Sequence, residues 1–192
     1  MVWKSRKRSC SLINLKKLVY LISPNKIHNN FYDDLKKVLS AKNVKFFQLR
    51  LKKVKKNKII KIAKKIKKIT RKYKVKLIIN DHPIISKITN ADGCHMGQND
   101  GSIIDARKHL KKKIIGVTCH NDKSLAKIAL QNKANYLAFG SFGVSKLKPN
   151  AKKADLKILK WAKKNIKKPI VAIGGINNSN YKKFIKSGAK YI

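Results

Sequence analysis

At 192 residues and 43% hydrophobic content, the chain is long enough to bury one substantial core and too apolar for low-complexity disorder. Its 49 Lys+Arg stand against eight acids, all Asp, for a net charge of +41, a field that draws polyanions, anionic membranes and phosphorylated metabolites. The lysines run along the whole chain without interleaved aromatics, which argues against a specific nucleic-acid partner, and no apolar run reaches the length of a membrane span.

Residues 1–17 are basic and lack an apolar signal-peptide region, so they read as a loose extension ahead of a single domain over 18–192. Leu18–Ile22 is a short apolar strand closed by Ser23-Pro24. Asn30 is placed to cap a helix from Phe31 to Lys42, with Asp33 and Asp34 in its first turn. Val44–Leu49 is a second strand. Asn57 can cap the next helix, in which Ile59, Ile62, Ile66, Ile69 and Tyr73 form an apolar stripe with lysines opposite.

Val75–Ile79 is the third strand, followed by a short helix over Pro83–Thr89. Gly93–Met96 and a helix over Ile103–Leu110 come next. Ile114–Val117 precedes a helix over Lys123–Gln131, and Tyr136–Phe139 is the sixth strand. A loop over Gly140–Asn150 leads to a helix over Ala154–Lys164. Pro169–Ile173 is the seventh strand, Tyr181–Lys186 a last helix ended by Gly188, and Lys190–Ile192 begins an eighth strand. Strands that read as unbroken apolar runs, alternating with helices, describe a parallel sheet with helical crossovers. Seven such units and the start of another predict a TIM (β/α)8 barrel, incomplete at strand eight; an open doubly wound sheet is the alternative, weakened by the missing glycine fingerprint after the first strand.

In a barrel every strand's C-terminal end faces one mouth. That mouth would hold Gln48, Arg50 and Lys52, then Asn80 and Asp81, Gln98 and Asp100, Thr118 and His120, Ser141, Ser145 and Lys148, and Gly174 and Gly175. Asp81 and Asp100 suit a hard cation such as Mg2+, although the same positions suit turn formers or helix caps. Arg50 and Lys52 lie two apart in an extended segment and point the same way, as a phosphate grip requires. Cations beside an acid pair imply a diphosphate ester with Mg2+. Cys10, Cys94 and Cys119 contain no CxxC, which argues against a disulfide or zinc framework; Cys94 and Cys119 sit in apolar runs and read as buried thiols, in keeping with a reducing cytoplasm. His95, inside a strand, reads as a core histidine.

The blocks FQLRLK, IIND, ADGCHMGQND, IIGVTCH, FGSFGVSKLK and PIVAIGGI, in that order over residues 18–192, resemble thiamine-phosphate synthase. The resemblance implies a TIM barrel. It implies Mg2+-dependent coupling of (4-amino-2-methyl-5-pyrimidinyl)methyl diphosphate with thiazole phosphate, yielding thiamine phosphate and diphosphate. By the same resemblance Gln48, Arg50, Lys52, Asn80 and Thr118 would bind the pyrimidine substrate, and Asp81 and Asp100 would bind the metal. Ser145 and Gly175 would bind the thiazole phosphate. Arg50, Lys52 and Lys148 would be catalytic, stabilising the diphosphate as it leaves. Two departures accompany it. Leu147 stands where the family's loop has a hydroxyl residue, and the sequence stops inside strand eight, which predicts an unpaired edge on strand one and a weakened thiazole-phosphate site. Two alternatives are the family's thiazole tautomerase branch, which would use His120, and a non-enzymatic polyanion binder.

Overall fold

The computed structural model describes residues 18–143 and 153–192. Seven strands and seven helices alternate: β1 (Val19–Ile22), α1 (Phe31–Ser40), β2 (Val44–Leu49), α2 (Lys56–Lys72), β3 (Lys76–Asn80), α3 (Pro83–Ile88), β4 (Gly93–Met96), α4 (Ile103–Leu110), β5 (Ile114–His120), α5 (Lys123–Gln131), β6 (Tyr136–Gly140), α6 (Leu156–Asn165), β7 (Ile170–Ile173) and α7 (Tyr181–Lys186). The strands pair in chain order, all parallel. This is the barrel the apolar runs predict.

The ring nearly closes, through a short start of strand eight. Lys190 N–H donates to Ile170 C=O at 2.8 Å and Ala172 N–H to Tyr191 C=O at 2.9 Å, holding residues 190–192 against β7. On the other side Tyr20 N–H donates to Ile192 C=O at 2.7 Å, and Ile192 N–H to Leu18 C=O at 3.0 Å. Three residues therefore occupy the eighth strand position and join β7 to β1. Two hydrogen bonds, at Leu18 C=O and Tyr20 N–H, narrow the gap that the sequence predicts along much of the β1 edge, so the barrel is nearly closed and strand eight is incomplete, as expected.

Strand alternation splits the core into a lumen and an outer layer. Tyr20, Phe46, Ile78, Tyr136, Ala138, Val171 and Tyr191 fill the lumen. Their sequence neighbours, such as Phe47, Leu77, Ile79, Leu137 and Ala172, face the helices. The Tyr136 ring lies over Gly116 of β5, where a Cβ would sit 1.8 Å from its Cζ. Only glycine leaves space for that ring.

Helix starts follow side-chain chemistry in three cases. The Ser102 hydroxyl accepts from Ile104 and Asp105 N–H, the Asp122 carboxylate from Ser124 and Leu125 N–H, and the Asp155 carboxylate from Lys157 N–H. Two expected caps fail. Asn30 occupies the N-cap of α1 in helical geometry and its side chain bonds no helix N–H; α2 starts at Lys56, which puts Asn57 inside its first turn. The buried face of α2 is Ile59, Ala63, Ile66 and Thr70, with Ile62, Ile69 and Tyr73 at its margin. The small side chains of Ala63 and Thr70 let the helix approach the sheet there. Strands β5 and β6 run further than their apolar cores: Thr118 and His120 continue the ladder in β5, and the backbone of Gly140 continues it in β6. No helix among the described residues is long and apolar enough to cross a membrane.

Candidate active site

A cavity of about 320 Å³ opens at the C-terminal ends of the strands. The last residues of β2 and the turn after it bring Gln48, Arg50 and Lys52 to its wall; β3 and the residue after it bring Asn80 and Asp81. The turn after β4 brings Gln98 and Asp100, and the end of β5 brings Thr118 and His120. Residues up to 72 positions apart in sequence thus meet because each ends or follows a parallel strand. Among the predicted mouth residues, Ser141, Gly174 and Gly175 lie outside the cavity wall, and Ser145 and Lys148 lie outside the described residues. Gly175 follows β7 in the left-handed region (φ +70°), pressed against Gly143, where a Cβ would come within 2.4 Å of the Gly143 Cα.

The acid pair is assembled by backbone geometry. Asp81 has a left-handed φ of 62°, and its N–H donates to His95 C=O at 2.8 Å, fixing it beside β4. Asp100 Oδ2 accepts from Gly97 N–H at 2.7 Å, which folds the turn after β4 back on itself. The two carboxyls face the same cavity, close enough for each to shift the other's titration. Neither caps a helix, since His82 and Ser102 hold those positions; Asp100 does, however, form a turn as well as facing the cavity. Burial, and then the Asp100 carboxyl, push Asp81 above the ordinary carboxylate range against the pull of Lys52. Burial also raises Asp100, but its hydrogen bond with Asp81, the Gly97 N–H and Lys52 outweigh it and bring Asp100 below that range. The two carboxyls therefore titrate as a pair, Asp81 pushed up and Asp100 down.

The cations are held in different ways. Lys52 Nζ pairs with Asp81 Oδ2, its side chain 46% exposed against 13% for the aspartate. Arg50 is anchored through its backbone, its N–H donating to Ser23 Oγ at 2.9 Å. Among the described residues its guanidinium hydrogen-bonds to Asn25 Oδ1 alone, at 3.2 Å, leaving most of its donors for a ligand.

The floor of the cavity holds groups that a reading of the mouth alone misses. Gln48 Nε2 donates to Tyr20 OH at 3.0 Å, Tyr20 OH lies 2.6 Å from Tyr136 OH, and Tyr136 OH lies 2.9 Å from His95 Nδ1. His95 Nε2 is 2.8 Å from Thr118 Oγ1. His95 is a core histidine satisfied on both nitrogens, as expected, and burial lowers its pKa to about 4, so the ring is neutral. It also lines the cavity. The sequence does carry a signal for the tyrosines: a buried Tyr hydroxyl inside an apolar strand needs a polar partner. Gln98 Nε2 donates to Thr118 C=O, tying the β4 turn to β5.

The donor set fits a magnesium ion. Mg2+ is commonly held by one or two carboxylates completed by water and substrate phosphate. Asp81 and Asp100 supply such a pair at the wall of one cavity.

Comparison with known proteins agrees with this geometry. A thiamine-phosphate synthase from Pelagibacter ubique is 59% identical over 179 residues, covering 92% of this chain and 86% of its own. One from Clostridium acetobutylicum is 38% identical over 178 residues, covering 91% of this chain and 83% of its own. Among solved structures, thiamine phosphate pyrophosphorylase from Pyrococcus furiosus superposes with a TM-score of 0.82 at 26% identity, covering 93% of this chain and 85% of its own. An N-acetylmannosamine-6-phosphate 2-epimerase from Clostridium perfringens, at 13% identity and a TM-score of 0.64, shares the fold. The family model of thiamine monophosphate synthase matches residues 19–192, and the chain belongs to that family.

Proposed function

We propose that this chain is a transferase of thiamine biosynthesis, with residues 18–192 acting as one barrel domain in the cytoplasm. It joins (4-amino-2-methyl-5-pyrimidinyl)methyl diphosphate to thiazole phosphate, and releases thiamine phosphate and diphosphate. The observation that carries this reading is the convergence of Arg50, Lys52, Asp81 and Asp100 on one cavity above a polar floor.

Arg50 grips the diphosphate through two parallel N–H donors, and Lys52 adds a point charge once it turns from Asp81. Asn80 donates to the same group. Gln48 and Thr118 hold the pyrimidine at the floor. Asp81 and Asp100 would hold Mg2+, which when bound neutralises negative charge on the departing diphosphate. The bond from the methylene carbon to the diphosphate oxygen breaks, its electron pair leaving with the diphosphate. The thiazole nitrogen then supplies the pair for the new bond to that carbon. Such a step asks for charge stabilisation rather than a protein nucleophile. Both nitrogens of His95 are already engaged, which fits. Lys148 completes the cationic grip on the diphosphate, while Ser145 and the Gly175 backbone hold the thiazole phosphate.

The test is direct: the purified chain with both substrates and Mg2+, product followed by oxidation to fluorescent thiochrome after dephosphorylation. Thiamine phosphate that forms with Mg2+ and fails to form with EDTA supports the assignment. Absence of product with wild-type protein and both substrates would overturn it.

A further inference from the structure

We propose that Tyr20, Tyr136 and His95 are positioning residues that fix the hydrogen-bonding polarity of Gln48 and Thr118, so that the cavity accepts a 4-aminopyrimidine and rejects its 4-oxo counterpart. This rests on the pyrimidine reading above. The five side chains come from β1, β2, β4, β5 and β6 and form one continuous chain across the lumen.

Counting protons gives the chain its direction. A hydroxyl donates one hydrogen, and a neutral imidazole donates from one nitrogen and accepts at the other. Gln48 Nε2 donates to Tyr20 OH. Suppose Tyr136 also donated to Tyr20. The Tyr20 hydroxyl would then accept twice, and its own hydrogen would have no other acceptor among the described residues, in a side chain that is 7% exposed. Buried polar hydrogens of that kind are rare. Tyr20 therefore donates to Tyr136, Tyr136 donates to His95 Nδ1, and His95 donates from Nε2 to Thr118 Oγ1. The imidazole is the Nε2–H tautomer.

Each end then shows the ligand one defined polarity. With Nε2 donating to Tyr20, turning the Gln48 amide would require every hydrogen bond of the chain to reverse together, and in the direction given Oε1 remains as an acceptor without a partner among the described residues. Thr118 accepts from His95, so its hydroxyl hydrogen is free to donate into the cavity. An acceptor on β2 and a donor on β5 match an exocyclic amino group on one edge of the ring and a ring nitrogen on another. A 4-oxo ring offers a carbonyl where the amino group was, opposing the Gln48 carbonyl oxygen. Remove the Tyr20 hydroxyl and the amide is free to turn, presenting its NH2 to that carbonyl.

The test is calorimetric titration of wild type, Tyr20→Phe and Tyr136→Phe with the 4-amino and the 4-oxo pyrimidine-methyl diphosphates, both measured on the same preparation. The ratio of the two affinities is independent of the folded fraction, so a partly unfolded variant still reports. Wild type should favour the amino form by about a hundredfold or more, as sites built to read a polar group do. Both variants should bring the ratio to about tenfold or less, since the loss of one lock removes a single oriented hydrogen bond. A merely structural role would weaken both ligands equally. A ratio that stays at its wild-type value in both variants, or a wild type that binds the two forms equally, overturns this inference and leaves the coupling reaction standing. Wild type that binds neither compound overturns the pyrimidine reading as well.

Discussion

At the scale of single residues, the site depends on how scarce its functional types are. With eight acids in the chain, Asp81 and Asp100 were legible as a pair from their place after two strands. Arg50 was legible because arginines number five, whereas Lys52 gains its meaning only from contact with Asp81. Tyr20 and Tyr136 were not legible as site residues, because a tyrosine within an apolar strand looks like core until its hydroxyl is traced across the barrel. Arg50→Lys is expected to weaken binding of the pyrimidine diphosphate by roughly 1.5–3 kcal/mol, and more than Lys52→Arg does, because it loses the planar fork. Equal affinities by calorimetry would refute that ranking. Mg2+ competes with the proton on Asp81, whose carboxyl is raised by burial and by Asp100. Affinity for Mg2+ in the presence of the pyrimidine diphosphate should therefore fall as pH drops through that raised value. In Asp81→Asn the Mg2+ affinity should be weak and flat with pH, measured by the same titration.

At the scale of elements, polar residues set boundaries that apolar periodicity blurs. Apolar runs located every strand, but β3 and β5 end in the polar mouth residues Asn80 and His120, and β6 in Gly140, which a hydrophobicity reading cuts off. Helix starts at Phe31, Pro83, Ile103, Lys123 and Tyr181 were legible whether or not a side chain caps them, whereas α2 begins at Lys56, ahead of the Asn57 expected to cap it, and α6 begins at Leu156 behind the Asp155 cap, two residues after the expected Ala154. Asp155→Ala should destabilise the protein by about 1 kcal/mol in denaturant titration, through the lost cap of α6. Asp92 is the other joint. Its Oδ2 accepts from Lys67 Nζ at 2.5 Å and from Leu77 N–H at 2.9 Å, and Lys76 reaches Oδ1 at 3.2 Å, linking α2 and β3 to the start of β4. Burial raises its carboxyl, but the hydrogen bonds from Lys67 and Leu77 prevail and hold it below the usual range. A depressed folded pKa contributes stability above the unfolded value, and that stability is lost as pH falls through the folded one. Asp92→Asn should cost about 1–3 kcal/mol at neutral pH, and the difference from wild type should disappear in acid. A constant difference across the titration would exclude the ionised carboxylate as its source.

At the scale of the whole molecule, the charge of +41 acts on stability and on catalysis in opposite directions. Like charges distributed over the surface repel one another and oppose compaction, while the same field concentrates phosphorylated substrates at the mouth. Screening reaches about 10 Å at 0.1 M salt and shortens as salt rises. Raising salt from about 0.05 M to about 0.5 M should therefore raise Tm by a few degrees and lower kcat/KM by about tenfold, mainly through capture of the diphosphate. Salt dependence of the same sign in both measurements would contradict this account. Barrel topology itself was legible, because regular alternation of buried strands and amphipathic helices leaves few arrangements. How far the ring closes was not, since it depends on which backbone groups of residues 190–192 face β1 and which face β7.

That closure orders events in time. β1 to β7 each pair with the next strand in sequence, so each pairing can form after the closure of one short crossover. The bond from Tyr20 N–H to Ile192 C=O joins residues at nearly opposite ends of the chain and requires all the crossovers to be in place. Long-range closure of that kind is slow. In refolding followed by pulsed hydrogen exchange, amides in the β2–β3 ladder should gain protection early, and those of Tyr20 and Ile192 last. The Tyr20–Tyr136 hydrogen bond spans the same seam, so the selective floor of the cavity would be the last part of the barrel to mature, after the diphosphate grip on β2 and β3 has formed.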